Sequence, residues 1–253
     1  MSAKLIIFSM LCLLARAQPD GDAQPRVVDP GDAAKPPADA IVLFGGSDLS
    51  GWTVDDGLPA RCPVSDGAMA CRSGDGNMLS KVTFRDAQIH LEFMVPLMPD
   101  QKDQLRGNSG VYIQARYEIQ ILDSYQNPTH PTGACGALYG QSPPLVNASR
   151  PPEQWQTYDI VFHAPRCASD GGFKTRGAVT VLHNGVLVQD HVVIQKGDNC
   201  AAEGLDQAGP LMLQDHSGFP EAPFTTMKFR NIWIRKLDES AAFKPTASGL
   251  GRQ

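Results

Sequence analysis

The sequence contains little that favours helices. No window of a dozen residues places its apolar side chains at the spacing of one helix face. Instead, 24 glycines and 20 prolines separate short apolar or alternating stretches along the chain. Many strands and almost no helix over this length are typical of two packed sheets. We therefore predict an all-β fold, a two-sheet jelly-roll sandwich.

The signatures of several common chemistries are also missing. The chain has no Cys-x-x-Cys pair, no His-Glu-x-x-His motif and no glycine-rich phosphate loop. Their absence argues against a thiol redox site, a zinc protease and a nucleotide-phosphate site. The net charge of −5 argues against a nucleic-acid partner. Beyond the N-terminus no apolar run approaches the length of a spanning helix, so we expect no membrane span.

The N-terminus has the pattern of a secretory signal peptide. Lys4 is followed by an apolar run over residues 5–14, which is too short to span a bilayer. Residues 15–17, Ala-Arg-Ala, then fit the small-x-small cleavage pattern. We predict a signal peptide over residues 1–17 and an exported protein, either periplasmic or secreted.

The composition divides the rest of the chain into three parts. Residues 18–39 are rich in Pro, Asp, Ala and Gly and carry almost no large apolar side chain. Such a segment cannot bury enough surface to fold, so we predict a disordered linker there. Alternating patterns occupy residues 40–237, which is enough for one sizeable domain. We predict a flexible tail over residues 238–253.

The most informative stretch is residues 111–121, in which apolar and polar residues alternate. Successive strand side chains point to opposite faces, so this pattern predicts one long, half-buried strand. Its polar face would carry Tyr112, Gln114, Arg116, Glu118 and Gln120. Planar donors and acceptors beside an aromatic ring suit the recognition of sugars. An ordinary solvated sheet face is the competing interpretation.

Similar patterns predict further strands at residues 88–95, 155–163, 178–182, 186–194, 210–216 and 227–237. Asn184-Gly185 lies between two of these stretches and predicts a tight hairpin. In the last strand, the residue numbers of Arg230 and Arg235 differ by five, an odd number. A regular strand would therefore place them on opposite faces.

The cysteines predict at least one disulfide in an exporting compartment. Cys62 and Cys71 flank a short turn, and we predict that they are bonded. Cys167 and Cys200 bracket the predicted Asn184 hairpin and could face each other across it. Cys135 would then be left over, and we interpret it as a small buried apolar residue rather than a nucleophile.

Several short motifs follow one another along residues 40–237. The first is Leu-Phe-Gly-Gly-Ser-Asp-Leu-Ser-Gly-Trp at residues 43–52. The others lie at residues 108–112, 117–123, 135–140, 144–152, 155–160, 183–186, 213–216 and 229–235. In this order they resemble the 3-keto-disaccharide hydrolase domain family, formerly the domain of unknown function 1080.

This resemblance implies a fold and an activity. The fold would be a concanavalin A-like lectin/glucanase jelly roll. The activity would be cleavage of 3-keto-glycosides such as 3-keto-disaccharides, or hydration of the 2-hydroxy-3-keto-glucal that forms from them by elimination. The chain departs from the family pattern at Ser47, where Lys is usual, and at residues 217–224, which form a longer link than usual.

The implied chemistry points to particular residue types. A ketone at C3 acidifies the C2 proton, so the reaction needs a base, an acid for the leaving oxygen and stabilisation of the enolate. Our catalytic candidates are Glu118, Asp123 and His216, and His216 titrates nearest neutrality as an ordinary side chain. The same three residues could hold a divalent metal ion, and the sequence leaves the cofactor open.

The expected partner is a carbohydrate. The candidate substrate-binding residues are Tyr112, Gln114, Arg116, Gln120, Tyr139, Gln214 and Arg230. Two other functions remain open from the sequence, because a fold does not determine a function. One is a non-catalytic carbohydrate-binding module of the cell envelope, and the other is an interaction domain there.

Overall fold

The structure of the protein, a computed structural model, describes residues 26–32, 35–218 and 221–237. The predicted signal peptide (1–17) and the predicted tail (238–253) lie outside the described residues. Within the described ranges the regular structure is fifteen strands and a few short 3-10 helices, at Asp103–Leu105, Pro131–Gly133 and His216–Gly218. No helix in these ranges has the length and hydrophobicity that a bilayer-spanning segment needs.

The strands are β1 (Ile41–Phe44), β2 (Trp52–Thr53), β3 (Val64–Ser65), β4 (Ala68–Arg72), β5 (Met78–Phe84), β6 (Ala87–Met94), β7 (Ser109–Ile113), β8 (Tyr117–Ile121), β9 (Gln156–His163), β10 (Arg166–Cys167), β11 (Phe173–Thr175), β12 (Ala178–His183), β13 (Val186–Val193), β14 (Gly209–Leu213) and β15 (Thr226–Lys236).

Two large antiparallel sheets form the sandwich. The eight-stranded sheet has the order β13-β12-β9-β6-β15-β4-β3, with β1 also paired to β15. The five-stranded sheet has the order β2-β5-β14-β7-β8, and β10 and β11 form a separate ribbon. Neighbouring strands are often distant in sequence, which is the pattern of a jelly roll. The prediction of an all-β jelly-roll sandwich is confirmed.

The core lies between the two sheets. In β6 every second residue is buried, and Ile89, Leu91 and Phe93 are fully inaccessible. In β8 the buried apolar residues are Tyr117, Ile119 and Ile121. Each such side chain stabilises the fold by about 1.5–3 kcal/mol relative to the exposed side chain. The even-numbered residues of β7 and β8 therefore face away from the core.

The prediction of one strand over residues 111–121 is wrong. This stretch is a hairpin of β7 and β8, in which Ile113 pairs with Tyr117. Gln114 and Ala115 form the turn, with φ values of 56° and 53°, as in a type I′ turn. The two paired residues differ by an even number, so the odd-numbered residues stay on the core side in both strands. The alternation therefore continues through the turn and conceals it.

Other local predictions agree better with the structure. Asn184 and Gly185 form the turn between β12 and β13, with φ values of 53° and 78°. Cys62 and Cys71 form a disulfide, as do Cys167 and Cys200. Cys135 is a buried free thiol, with its sulfur 3.0 Å from the Tyr158 hydroxyl.

A bulge changes the faces of β15. Arg230 pairs with Glu92, whereas Trp233 pairs with His90, so one extra residue is inserted between them. Arg230 and Arg235 consequently share the outer face of the eight-stranded sheet, and the expectation of opposite faces is wrong. The prediction assumed a regular strand, and the bulge adds one residue between the two arginines.

The described part of the predicted linker, residues 26–32 and 35–39, has a defined path. The Asp39 carboxylate accepts hydrogen bonds from Arg235 at 2.7 Å and from Arg26 at 2.5 Å. Asp32 and Lys35 form a backbone bridge. Composition identified a segment without an apolar core, but these polar contacts hold its C-terminal part on the sandwich.

Candidate active site

Three polar side chains of the β7–β8 hairpin, Tyr112, Arg116 and Glu118, line an open cleft on the outer face of the five-stranded sheet. The cleft has a volume of about 410 Å³. Tyr112 and Glu118 are directly opposite each other in the hairpin register, so both reach the cleft from its floor. Arg116, Tyr139 and Lys196 lie around them.

The Glu118 carboxylate is held by two donors. The Tyr112 hydroxyl donates to Glu118 Oε2 at 2.8 Å. The orientation of the Gln120 amide is assigned from its hydrogen-bond partners. In this orientation its nitrogen donates to Glu118 Oε1 at 3.1 Å and to the Ser109 carbonyl at 2.9 Å. These contacts fix the carboxylate against the sheet while the cleft leaves it accessible from one side.

Gly110 makes room for this arrangement. It pairs with Gln120 in the neighbouring strand. A Cβ atom on Gly110 would lie 2.5 Å from Glu118 Oε1, closer than a real carbon can approach. A larger residue at position 110 would therefore displace the Glu118 carboxylate from this position.

The environment raises the pKa of Glu118 to about 7 from an ordinary 4.5. Burial is the largest cause, because it disfavours the charged form. The hydrogen bond from Tyr112 and the positive charge of Lys196 lower the pKa and offset part of this effect. A carboxyl group that titrates near neutrality can accept a proton at physiological pH and release it again.

Tyr112 connects Glu118 to Gln214 on the adjacent strand end. Gln214 Nε2 donates to the Tyr112 hydroxyl at 3.2 Å, and that hydroxyl donates onward to Glu118. Burial, followed by the charge of Glu118, raises the pKa of Tyr112 above its usual range. Tyr112 is therefore a neutral hydrogen-bond donor at all physiological pH values.

The two polar residues at the turn of the hairpin differ in accessibility, because Gln114 is buried and Arg116 lines the cleft. Gln114 is buried, and its amide donates to the Phe84 carbonyl at 2.9 Å. Arg116 donates to the Gln207 carbonyl at 3.1 Å, and Lys196 Nζ donates to the Arg116 carbonyl at 2.7 Å. The sequence did not predict that Lys196 lines the cleft, because one lysine in a polar loop has no distinguishing pattern.

Comparison with known proteins decides the family. The sequence profile of the 3-keto-alpha-glucoside-1,2-lyase-like domain matches residues 39–235. This chain belongs to that family. The resemblance read from the ordered motifs is thereby confirmed.

Two solved structures share the fold of this chain, and the first also agrees with the family assignment. A candidate glycosyl hydrolase from Parabacteroides distasonis is 41% identical and superposes with a TM-score of 0.76, over 85% of this chain and 93% of its own. A second candidate glycosyl hydrolase from that organism is 20% identical, with a TM-score of 0.54 over 79% of this chain and 94% of its own. No curated protein matches this sequence.

In this lyase-like domain, the structure places Asp123 outside the cleft. Asp123 is buried, and its carboxylate lies 2.8 Å from the Arg106 guanidinium. It also accepts a hydrogen bond from the Tyr125 backbone at 3.1 Å. These contacts give Asp123 the surroundings of a structural ion pair beneath the loop after β8.

The lyase-like domain places His216 in a hollow beside the cleft. The predicted strand over residues 210–216 ends at Leu213, and His216 begins a 3-10 helix. The hollow is also lined by Asn108 and Gln214. Burial lowers the pKa of His216, although the nearby Asp215 carboxylate opposes this effect.

The three candidate metal ligands do not fit a shared ion. Glu118 lies in the cleft, Asp123 pairs with Arg106, and His216 lies in the neighbouring hollow. Across the described parts of the chain, no three His, Cys, Asp or Glu side chains converge as a metal site would require. We therefore derive no step through a metal ion.

The lyase-like domain carries Arg230 on the opposite sheet from Glu118. Arg230 forms an ion pair with Glu92 at 2.7 Å, and its guanidinium lies 4.0 Å from the centre of the Trp155 ring. Asn231 donates to the other Glu92 oxygen at 3.0 Å. The sequence predicted Arg230 as a substrate-binding residue together with Tyr112 and Arg116. The structure places it on the other sheet, away from their cleft.

Proposed function

We propose that this protein is an exported carbohydrate-active enzyme that acts on 3-keto sugars, with Glu118 as its general base. It cleaves 3-keto-glycosides by elimination or hydrates the resulting 2-hydroxy-3-keto-glucal. The observation that carries the proposal is the Glu118 carboxylate, which has a pKa near 7 and lies in an open cleft. The family match and the glycosyl hydrolase relative support a sugar substrate.

The cleavage begins with proton transfer to Glu118. The carboxylate takes the C2 proton of the 3-keto sugar, and the electron pair of the C–H bond moves to form the enolate at C2 and C3. The enolate then re-forms the C3 carbonyl, and the electron pair of its C2–C3 double bond forms the C1–C2 double bond while the C1–O bond breaks. The leaving alkoxide takes a proton from water. Solvent base removes the proton from Glu118 and restores the carboxylate.

The hydration uses the same groups in the opposite sense. Water adds its oxygen to C1 of the enone and loses a proton to solvent base, and the electron pair of the C1–C2 double bond moves to form the enolate at C2 and C3. Protonated Glu118 then returns a proton to C2. A carboxyl group with a pKa near 7 is suited to both directions, because both protonation states are populated at neutral pH.

The rim of the cleft offers groups for sugar binding. Tyr139 is 44% exposed and presents an aromatic ring for stacking. Arg116 and Lys196 add cationic donors to the lining of the cleft. Sugar hydroxyls accept and donate hydrogen bonds, so this combination of a ring with charged donors suits a pyranose.

Export is part of the proposal. The signal-peptide pattern in residues 1–17 motivates it. The Cys62–Cys71 and Cys167–Cys200 disulfides support it, because such bonds persist mainly in oxidising compartments.

The test is an assay of the purified protein on a 3-keto-disaccharide and on 2-hydroxy-3-keto-glucal, with and without a chelator. We expect consumption of at least one substrate by the wild type. Glu118→Gln keeps the shape of the side chain and should lower turnover by on the order of 100-fold or more. Wild-type turnover in folded Glu118→Gln would refute the role of Glu118, and loss with chelator would reveal a metal requirement.

The alternative function is a non-catalytic carbohydrate-binding module. The openness of the cleft and the exposed ring of Tyr139 favour this alternative, because many sugar-binding surfaces combine these features. A binding module would retain the 3-keto-disaccharide in a calorimetric titration and release no product.

A further inference from the structure

We propose that Tyr112 is a second catalytic residue, whose hydroxyl donates a hydrogen bond to the C3 oxygen of the sugar as the enolate forms. This inference rests on the proposed function, because it assigns a role in the same reaction. It differs from the sequence interpretation of Tyr112 as a surface on which a sugar ring stacks.

The first argument is distance. The Tyr112 oxygen lies 2.8 Å from Glu118 Oε2, and both residues line the cleft. When Glu118 approaches the C2 proton, a donor at this distance is within reach of oxygens on the neighbouring carbon atoms. The C3 oxygen is always one of these, whichever way the leaving group at C1 is oriented.

The second argument is what happens to the hydrogen bond during the reaction. Before the reaction, the Tyr112 proton is shared with the Glu118 carboxylate. Once Glu118 has taken the C2 proton it is neutral and becomes a weaker acceptor. The negative charge has moved to the C3 oxygen, so the Tyr112 hydrogen bond strengthens there. A donor that follows the charge in this way stabilises the transition state more than the ground state.

The third argument is the support of the phenol. Gln214 Nε2 donates to the Tyr112 oxygen at 3.2 Å, which polarises the hydroxyl and makes it a better donor. The raised pKa of Tyr112 means that the proton stays on the phenol throughout. Tyr112 therefore donates a hydrogen bond and does not transfer its proton, and the atoms of the elimination balance without it.

The test uses a 3-keto sugar without an aglycone. In 1,5-anhydro-3-keto-glucitol, C1 carries only the ring oxygen, so exchange of the C2 proton in D₂O reports enolate formation without glycoside cleavage. NMR would follow this exchange beside cleavage of a 3-keto-disaccharide. We expect Tyr112→Phe to slow both reactions by a similar factor, on the order of 100-fold. We expect Gln214→Leu, which leaves the phenol in place, to slow both by a smaller factor.

Tyr125→Phe is the matched control. It removes a hydroxyl from an exposed tyrosine that does not line the cleft. Both reactions should proceed at wild-type rates in this variant. Melting temperatures within a few degrees of the wild type would show that all variants are folded.

The outcomes separate this proposal from the proposed function. If Tyr112→Phe loses cleavage but keeps C2 exchange, Tyr112 acts on the leaving group and the proposal is overturned. If it keeps both reactions, Tyr112 has no catalytic role. If the wild type neither cleaves nor exchanges, the proposed function itself is wrong and this inference fails with it.

Discussion

The most direct test of the Glu118 environment is the pH dependence of stability rather than of activity. The pKa of Glu118 is about 7 in the folded protein and 4.5 as an ordinary exposed carboxyl. Between these values the folded state holds a proton that the unfolded chain has lost. Stability therefore falls as the pH rises from about 4.5 to about 7 and is level beyond that range.

The size of the effect follows from the same two values. Each pH unit that separates the folded from the unfolded pKa corresponds to about 1.4 kcal/mol. Ionisation of Glu118 should therefore cost the folded protein about 3 kcal/mol at pH 8 compared with pH 4. Glu118→Gln removes this titration and keeps the side-chain shape, so the variant should become progressively more stable relative to the wild type as the pH rises.

Urea unfolding of both proteins between pH 4 and pH 8 measures the difference. Other groups titrate in both proteins, so they cancel when the two free energies of unfolding are subtracted. We expect the difference to change by about 3 kcal/mol, mostly between pH 4.5 and pH 7. A difference that stays constant with pH would mean that Glu118 is an ordinary solvated carboxylate, and the argument for a base near neutrality would fail.

Three further predictions address the site and its surroundings. The kcat/KM for C2 proton removal should rise with pH and level off above about pH 7, as the pKa of Glu118 requires, and a flat profile would contradict this. Gly110→Ala should lower turnover at least about tenfold with a small change in melting temperature, since its Cβ would displace the Glu118 carboxylate; retained activity would mean that the carboxylate is free to move. Asp123→Asn should lower the free energy of unfolding by about 3 kcal/mol, because it leaves Arg106 partly buried without its carboxylate; a loss of turnover in a fully stable variant would instead restore Asp123 as a catalytic candidate.

The sequence predicted the sheet face of Tyr112 and Glu118 but not the contact between them. Glu118 and Tyr112 were placed on one polar face by alternation, and they do share the cleft. Alternation records only which side of a sheet a residue occupies. Since Ile113 and Tyr117 are paired at an even separation, a hairpin and a continuous strand produce the same pattern. The direct contact of Tyr112 with Glu118 exists only because the chain turns at Gln114.

Other site predictions depended on partners that are far away in sequence. Asp123 has the residue type and position of a catalytic carboxylate, yet Arg106 holds it beneath the loop after β8. Arg230 belongs to a family motif, but β15 lies in the opposite sheet, where Glu92 binds the guanidinium. No local pattern reveals such pairings, because they are formed by strands that meet only in the folded sandwich.

The sequence by itself determined the all-β class, the family, the Asn184 hairpin and the Cys62–Cys71 disulfide. These depend on strand periodicity, motif order and turn chemistry, all of which act over a few neighbouring residues. Only the tertiary structure decided which carboxylate lies in the cleft. Burial by the surrounding loops raises the pKa of Glu118, and a contact with Arg106 occupies Asp123, so the physical difference between the two carboxylates arises from packing.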